Sequence, residues 1–207
     1  MNDNKQFWQR FAGKYELFMK SSGELYGEIC ENLLPHLNKT MNVLELACGT
    51  GQLSFPLAAH VRLWEATDFS KAMIEQAKKK NASPRLLFSV CDATALPYAN
   101  GSFDAVVISN ALHIMPYPEQ ALREIRRVLK ADGGLFALTF VHGENIGYGL
   151  RVSVLKLLGF KVYHKWTAKE FAEFVSQHGF VVKAQIVMGS RIAPLCFLAA
   201  QQPGKNN

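Results

Sequence analysis

The segment that most constrains this chain of 207 residues runs from Val43 to Gln52 and reads VLELACGTGQ. Its first half is rich in apolar residues, which is typical of a buried parallel strand. It then breaks at Gly49 and Gly51, just before a segment with helical spacing. Glycine allows a ligand to approach the main chain closely, and the first N–H groups of a helix point into the same space. We therefore predict a strand-to-helix turn that binds a polar ligand above these glycines.

A second apolar segment, Val61 to Asp68, ends in an acidic residue, and Ser70 follows as a predicted helix cap. An acid at the end of the second strand, about 20 residues past a glycine turn, is where a ribose diol is held. Asp68 is therefore the predicted ribose ligand. The alternative is a carboxylate that the dipole of the next helix favours. Glu65 is the rival acid, but it lies within the strand.

Apolar strands and amphipathic helices alternate along the rest of the chain, which predicts an α/β fold. Two helices, Lys5 to Met19 and Gly23 to Leu34, come before the first strand. The last two strands have so short a connection that we expect an antiparallel hairpin. The later strands are predicted over Leu86–Val90, Phe103–Ser109, Leu135–Val141, Phe180–Met188 and Ala193–Ala200, and the helices over Gln52–Ala59, Lys71–Lys80, Pro118–Lys130 and Thr167–His178.

Four segments in this order, ELACGTGQ, DFS, CDATALPYANGSFDAVV and ALREIRRVLKADGGLFALTF, resemble the successive motifs of class I S-adenosylmethionine-dependent methyltransferases, particularly the type 11 group. The resemblance runs from about Val43 to Phe140. One departure is Ala47, where many members have the first glycine. The resemblance implies a Rossmann-like, doubly wound sheet of seven mostly parallel strands in the order 3-2-1-4-5-7-6, with the last strand antiparallel and two N-terminal helices in front.

The resemblance also implies the cofactor, S-adenosyl-L-methionine, with S-adenosyl-L-homocysteine as its product. Asp92 would approach the adenine amino group, and the backbone of Ala93 would contact a ring nitrogen. Asp92 as a simple turn former is the alternative. Tyr15, in the N-terminal leader, is a candidate pocket residue. The predicted cofactor-binding residues are Glu45, Ala47, Gly49, Gly51, Asp68, Phe69, Met73, Asp92, Ala93, Asn110 and Tyr15.

Two histidines, His113 and His142, follow the fourth and fifth predicted strands. Methyl transfer is an in-line displacement that needs a general base only if the acceptor must lose a proton. Histidine suits that task near neutral pH, so both are candidate catalytic residues. The alternative for each is a structural histidine at the rim of the sheet. We expect a small, partly apolar acceptor molecule.

The resemblance divides a single domain into four parts. Residues 1–40 form a helical leader, 41–141 the cofactor-binding core, 142–166 a lid or acceptor segment, and 167–207 a final helix and hairpin. The sequence leaves open whether the protein is a monomer or a homodimer.

Composition narrows the function classes. The net charge of +6 is spread out, so we expect no dedicated nucleic-acid module, although an RNA substrate would leave little trace in the sequence. Four cysteines without C-x-x-C spacing predict no metal site. Neither a signal peptide nor a membrane span is expected, which favours the cytoplasm. A nucleotide-binding oxidoreductase or a non-catalytic binding protein remains an alternative, although Ser54 replaces the third glycine of the dinucleotide motif.

Overall fold

The computed structural model describes residues 4, 7–10, 12–13, 23–80, 83–142, 161–190 and 193–204. Within these ranges the strands form one seven-stranded sheet in the order β3-β2-β1-β4-β5-β7-β6. Strands β1 to β5 pair in parallel, and β7 runs antiparallel to both of its neighbours. The strands are β1 Asn42–Leu46, β2 Leu63–Asp68, β3 Leu86–Val90, β4 Phe103–Ser109, β5 Leu129–Phe140, β6 Val181–Ser190 and β7 Ala193–Gln201. The predicted strand order and the antiparallel final strand are confirmed.

Helices cover both faces of the sheet. They are α1 Gly23–Leu33, α2 Ser54–Leu57, α3 Lys71–Lys78, α4 Pro118–Val128 and α5 Ala168–Gln177. The helix predicted after β1 is shorter than expected, because the chain tightens into a 3-10 turn at Ala58–His60. Of the first predicted N-terminal helix, Lys5 to Met19, residues 7–10 and 12–13 are described, and all are helical. Most of the predicted lid, residues 143–160, lies outside the described residues.

The apolar pattern of each element explains where it packs. Strand β4 is almost continuously buried, as expected for a central parallel strand with helices on both faces. Helix α4 turns Ala121, Leu122 and Ile125 into the core, as its amphipathic pattern predicts. Two apolar clusters result, one on each face of the sheet. No helix in the described ranges combines the length and the apolarity needed to cross a bilayer.

Helix starts follow the predicted capping signals. The Ser70 hydroxyl accepts a hydrogen bond from the backbone N–H of Met73 at the start of α3. At the start of α5, Thr167 and Glu170 form the reciprocal capping box. Each cap satisfies N–H groups that have no partner within the helix. The sequence therefore predicted both entry points correctly.

The predicted start of β5 at Leu135 is wrong, as is the predicted end of α4 at Lys130. Helix α4 ends at Val128, and β5 begins at once with Leu129. The Asp132-Gly133-Gly134 segment lies inside the strand as an irregularity, where pairing with β4 shifts between Phe103 and Ala105. Asp132 has φ 60 there. The backbone is distorted at this segment, but pairing with β4 on both sides of the distortion keeps the whole segment in the sheet.

Candidate active site

The candidate site lies at the carboxyl ends of β1 and β4, where the order of the strands reverses. The chain runs outward from β1 to β2 on one side and from β4 to β5 on the other. Ligands of open α/β sheets bind beyond this point. Both strands are followed by a residue in the left-handed region, Ala47 with φ 55 and Asn110 with φ 54. Residues other than glycine rarely adopt this conformation, and it is concentrated at functional sites.

The glycine loop after β1 is a tight turn without room for side chains. Gly49 has φ 57 and Gly51 has φ 90. A Cβ atom on Gly51 would lie 2.7 Å from the Phe55 ring and 3.2 Å from the Phe88 ring. The backbone N–H of Gly51 donates to the Cys48 carbonyl at 3.0 Å, which closes the turn. The predicted cradle therefore has the backbone geometry that close approach by a ligand requires.

Asp68 joins this loop to the end of β2. Its Oδ2 accepts a hydrogen bond from Gly49 N–H at 2.9 Å, and its Oδ1 accepts one from Ser70 N–H at 2.8 Å. The side chain is 5% exposed. Burial raises the pKa of Asp68 to about 6, against the effect of these two hydrogen bonds. An ionised carboxylate has about four lone-pair sites. Asp68 therefore organises the loop and keeps capacity to accept two ribose hydroxyls, so its two sequence interpretations are compatible.

Glu45 lies inside β1 beneath the same loop. Its Oε2 accepts hydrogen bonds from Ser54 Oγ at 2.5 Å and from Trp64 Nε1 at 2.7 Å. Complete burial raises the pKa of this carboxyl to about 7. Ser54 begins α2 and Trp64 lies on β2. The structure thus gives Glu45 a supporting position that ties the loop's helix to the neighbouring strand.

The loop after β3 carries Asp92 and Ala93. Asp92 is exposed, and its Oδ1 accepts hydrogen bonds from Thr94 N–H at 2.9 Å and Thr94 Oγ at 2.7 Å. This is the geometry of a turn-forming aspartate. The other carboxylate oxygen takes no part in these two bonds. The adenine contact therefore stays a prediction.

Arg127 holds that loop in place. Its guanidinium donates to the carbonyls of Leu96 at 2.8 Å and Tyr98 at 2.6 Å. It also pairs with Glu124, which accepts from Leu96 N–H. The fixed fork of guanidinium donors suits such a clamp. The Glu124 and Arg127 pair at spacing i, i+3 was visible in the sequence, but its distant carbonyl partners were not.

The remaining predicted cofactor residues surround the loop. Phe69 is half-buried and Met73 is buried. The backbone N–H of Asn110 donates to Leu138 O at 2.9 Å, which fixes the end of β4 beside β5. Its Oδ1 is buried and has no hydrogen-bond partner among the described residues. Such an atom is costly unless a ligand or water satisfies it. Tyr15 lies outside the described residues.

The predicted histidines lie close together at the ends of β4 and β5. His113 is in a 3-10 turn, Leu112–Ile114, and is 6% exposed. Its Nδ1 lies 2.8 Å from Thr139 Oγ on β5. Burial, together with the nearby His142 and His164, lowers the pKa of His113 to about 4. The ring is therefore neutral at pH 7.

His164 was missed by the sequence analysis. The backbone N–H groups of Tyr163 and His164 donate to the His113 carbonyl at 3.0 Å. The His164 ring stacks on Trp166 with centroids 5.1 Å apart. His142 N–H donates to the Trp166 carbonyl at 2.8 Å, so the end of the predicted acceptor segment lies against both histidines.

Asn4 was also missed, and it connects the N-terminal leader to this region. The side chain is 2% exposed. Its Nδ2 donates to the carbonyls of Ile114 and Lys161, each at 2.9 Å, and its Oδ1 accepts from Lys161 N–H at 2.9 Å. A lone asparagine in a polar N-terminal segment carries no signal for such distant partners.

The four cysteines are free thiols. Burial raises the pKa of Cys91, beside the predicted adenine loop, to about 11 and that of Cys48 further still. These thiols are therefore protonated at neutral pH and poorly nucleophilic. Throughout the described part of the chain, no three His, Cys, Asp or Glu side chains are grouped to hold a metal ion.

Residues 44–137 match the family profile described as "Methyltransferase domain" (Methyltransf_11). The matched region includes most of β1, all of β2 to β4 and most of β5. Over this segment, which is a little under half of its length, the chain is similar to the type 11 methyltransferases. This match supports the predicted cofactor class, and the observed strand order agrees with the fold that the resemblance implies.

Two curated relatives of this chain are quinone-modifying enzymes by name. The demethylmenaquinone methyltransferase of Renibacterium salmoninarum is 43% identical over 100 residues, which cover 48% of this chain and 41% of the relative. The ubiquinone/menaquinone biosynthesis C-methyltransferase of Geotalea uraniireducens is 38% identical over 105 residues, covering 47% and 45%. The chain thus spans less than half the length of these curated relatives.

Solved structures extend the likeness of the fold to nearly the whole chain. A chain from the complex between the Haloferax volcanii Trm112 methyltransferase activator and a methyltransferase superimposes with a TM-score of 0.83 at 17% identity, covering 98% of this protein and 99% of that chain. The magnesium protoporphyrin IX methyltransferase of Synechocystis, solved with bound S-adenosylhomocysteine, gives a TM-score of 0.65 at 19% identity, covering 87% and 83%.

Proposed function

We propose that this protein transfers a methyl group from S-adenosylmethionine to a small, partly apolar acceptor. The observation that carries the proposal is the extent of the family match. Residues 44–137 include every predicted cofactor residue except Tyr15. The match therefore falls on the part of the chain that forms the glycine loop, Asp68 and the rim at Asn110.

The residues at the site fit this cofactor chemically. Asp68 offers two acceptor positions for a ribose diol beside the left-handed glycine turn at Gly49 and Gly51. The buried Oδ1 of Asn110 lacks a donor within the described residues, and the cofactor's amino group would supply one. Bound there, the cofactor would supply an electrophilic methyl group on a sulfonium.

The protein's contribution is then alignment and exclusion of water. In-line displacement needs the nucleophile and the methyl group held at close range, which positioning residues achieve by lowering the entropic cost. Asp68 would fix the ribose, Asp92 and Ala93 the adenine, and the rim formed by Asn110 and His113 would face the acceptor. Within this account no covalent bond to the protein forms.

The acceptor proposal rests on the relatives and on the character of the rim. Two relatives are named for quinone substrates. In this chain the rim near His113 carries aromatic rings, since Phe140 lies 6.4 Å from it edge-on and Trp166 stacks on His164. Aromatic side chains suit a flat apolar ring that carries polar groups. A reduced demethylmenaquinone, whose ring is electron-rich, is therefore the first acceptor to test.

A second candidate is a methyltransferase that needs an activator subunit. It is favoured by one observation: the structural neighbour with near-complete coverage of this chain was solved in a complex with a methyltransferase activator. In that case the isolated protein would bind the cofactor but transfer methyl groups only when an activator protein is added.

The deciding experiment follows a labelled methyl group. The protein would be incubated with methyl-tritiated S-adenosylmethionine and either reduced demethylmenaquinone or total RNA, with and without added Trm112. We expect label in the organic phase with the quinol alone. Label in RNA would overturn the small-molecule acceptor, and label that appears only with Trm112 would favour the second candidate. An Asp68→Ala variant is the negative control.

A further inference from the structure

The hydrogen bond between His113 and Thr139 defines which ring nitrogen carries the proton. Thr139 is fully buried on β5, and its Oγ lies 2.8 Å from His113 Nδ1. Among the described residues that contact is the one hydrogen bond of the threonine hydroxyl. Two arrangements are possible, because a neutral imidazole has one donor and one acceptor nitrogen.

In the first arrangement the Thr139 hydroxyl donates to Nδ1, and the ring proton is on Nε2. In the second, Nδ1–H donates to Oγ, and the buried hydroxyl hydrogen of Thr139 is left without an acceptor. An unsatisfied buried donor costs free energy, so proteins nearly always pair such groups. The first arrangement satisfies the hydroxyl completely and leaves the second ring nitrogen, directed away from Thr139, as an N–H donor.

We infer that His113 is not a general base but a neutral hydrogen-bond donor, which Thr139 fixes in the Nε2–H form to bind an oxygen of the acceptor. This inference rests on the proposed function for its substrate and deepens it. The acceptor class becomes a molecule with a lone-pair oxygen beside the methylated atom, as in a phenolate or quinol. Thr139 is a positioning residue that acts through His113.

The ring's surroundings agree with a donor role. Burial, with His142 and His164 nearby, lowers the pKa of His113 to about 4. A phenolic hydroxyl like that of tyrosine has a pKa of about 10. Moving its proton to His113 would therefore be unfavourable by about a million-fold, whereas donating a hydrogen bond to its anion requires no proton transfer. The hydroxyl proton of the acceptor would leave to solvent before the acceptor binds. After methyl transfer to a ring carbon, the hydrogen on that carbon would leave to solvent as a proton, which restores the aromatic ring.

The direct test is the tautomer of His113 in the ligand-free protein. Long-range proton–nitrogen NMR correlations on the 15N-histidine-labelled full chain at pH 7 report which ring nitrogen is protonated, and His113→Gln assigns the signal by its loss. We expect protonated Nε2 and unprotonated Nδ1. A protonated Nδ1, or a doubly protonated ring, would overturn the inference.

Two variants of Thr139 distinguish the effect of its hydroxyl group on the His113 tautomer from the effect of its side-chain packing. Thr139→Ser keeps the hydroxyl and should keep the Nε2–H form, whereas Thr139→Val removes it and should allow both forms. Unchanged tautomer populations in the valine variant would show that the hydroxyl does not set the proton's position. If the valine variant fails to fold, the wild-type and serine spectra still decide the point.

Kinetics with reduced demethylmenaquinone test the role in binding. Glutamine offers an N–H near the position of Nε2 but cannot act as a base, and leucine offers neither. We expect His113→Leu to raise the KM for the quinol about tenfold more than His113→Gln does, with kcat affected less. An equal and severe loss of kcat in both variants would instead indicate that His113 acts as a general base. The NMR measurement needs neither cofactor nor acceptor, so failure of the proposed function is distinguishable from failure of this inference.

Discussion

The backbone N–H of Gly49 donates a hydrogen bond to Oδ2 of Asp68 over 2.9 Å. This bond joins the loop after β1 to the end of β2, so the two predicted cofactor contacts form one unit. Hydrogen bonds to a charged acceptor are worth about 1.5–3 kcal/mol each. A change at Asp68 should therefore disturb the glycine loop as well as the ribose contact.

Glu45 should make the stability of the protein depend on pH. Burial raises the pKa of Glu45 from 4.5 to about 7, so the folded state binds this proton more tightly than the unfolded chain. Stability from this group is present below about pH 4.5 and is lost as pH rises to about 7. Glu45→Gln has no proton to lose, so its stability relative to wild type should increase by roughly 3 kcal/mol between pH 5 and pH 8.

Urea unfolding of both proteins at the two pH values measures that difference. The control is Glu75→Gln, a helix-surface position with a side chain that is 58% exposed. It should follow the wild-type pH dependence. If the stability of Glu45→Gln also changes with pH in parallel with that of wild type, then the Glu45 carboxyl does not bind its proton more tightly in the folded state.

Gly51→Ala should destabilise the protein and weaken cofactor binding. A Cβ atom there meets Phe55 at 2.7 Å, and the backbone has φ +90. Strain and overpacking together cost about 1–3 kcal/mol. Gly101→Ala is a matched control, because Gly101 also has a left-handed φ of +66 but a Cβ atom there would lie 4.0 Å from its nearest neighbour, Lys130 Cα. Urea midpoints should fall further for Gly51→Ala, and equal losses would show that crowding at Phe55 is unimportant.

Asn4→Ala should loosen the segment next to His113. The variant removes three hydrogen bonds to Ile114 and Lys161. At about 0.5–1.5 kcal/mol per bond, amide hydrogen exchange at Lys161 and in the segment after it should become at least tenfold faster. Hydrogen exchange followed by mass spectrometry would show this. Asn32→Ala, which removes one exposed hydrogen bond to Glu28, should leave exchange at Lys161 unchanged. Unaltered exchange in the Asn4 variant would contradict this role.

Local patterns predicted the parts of the fold that depend on neighbours in sequence. The end of β2 at Asp68 and the helix caps at Ser70 and Thr167 agree with the structure, because period and capping are properties of a few adjacent residues. The strand order came from the family resemblance, since periodicity does not specify which strands pair. The start of β5 was wrong because pairing with β4 continues past the turn residues at Asp132 and Gly133.

The residues of the candidate site that lie at strand ends could be predicted from the sequence. The residues that reach it through contacts between distant parts of the chain could not. The glycine loop, Asp68 and His113 all lie at carboxyl ends of parallel strands, which the alternation of elements indicated. Asn4 reaches the site through side-chain hydrogen bonds to backbone carbonyls, and His164 through a backbone hydrogen bond, in each case with a residue far away in the chain. No spacing rule connects such residues, so only the folded structure reveals them.

The most direct test of the account is a thermal-shift titration with S-adenosylhomocysteine and, separately, with NAD, on wild type and on Asp68→Asn. At 100 times its dissociation constant, a ligand specific for the folded state stabilises it by about 2.7 kcal/mol, which is readily visible as a rise in melting temperature. We predict stabilisation by S-adenosylhomocysteine and none by NAD, with affinity at least tenfold weaker in the variant. Stabilisation by NAD alone, or no response to S-adenosylhomocysteine, would contradict the proposed cofactor and with it the proposed methyl transfer.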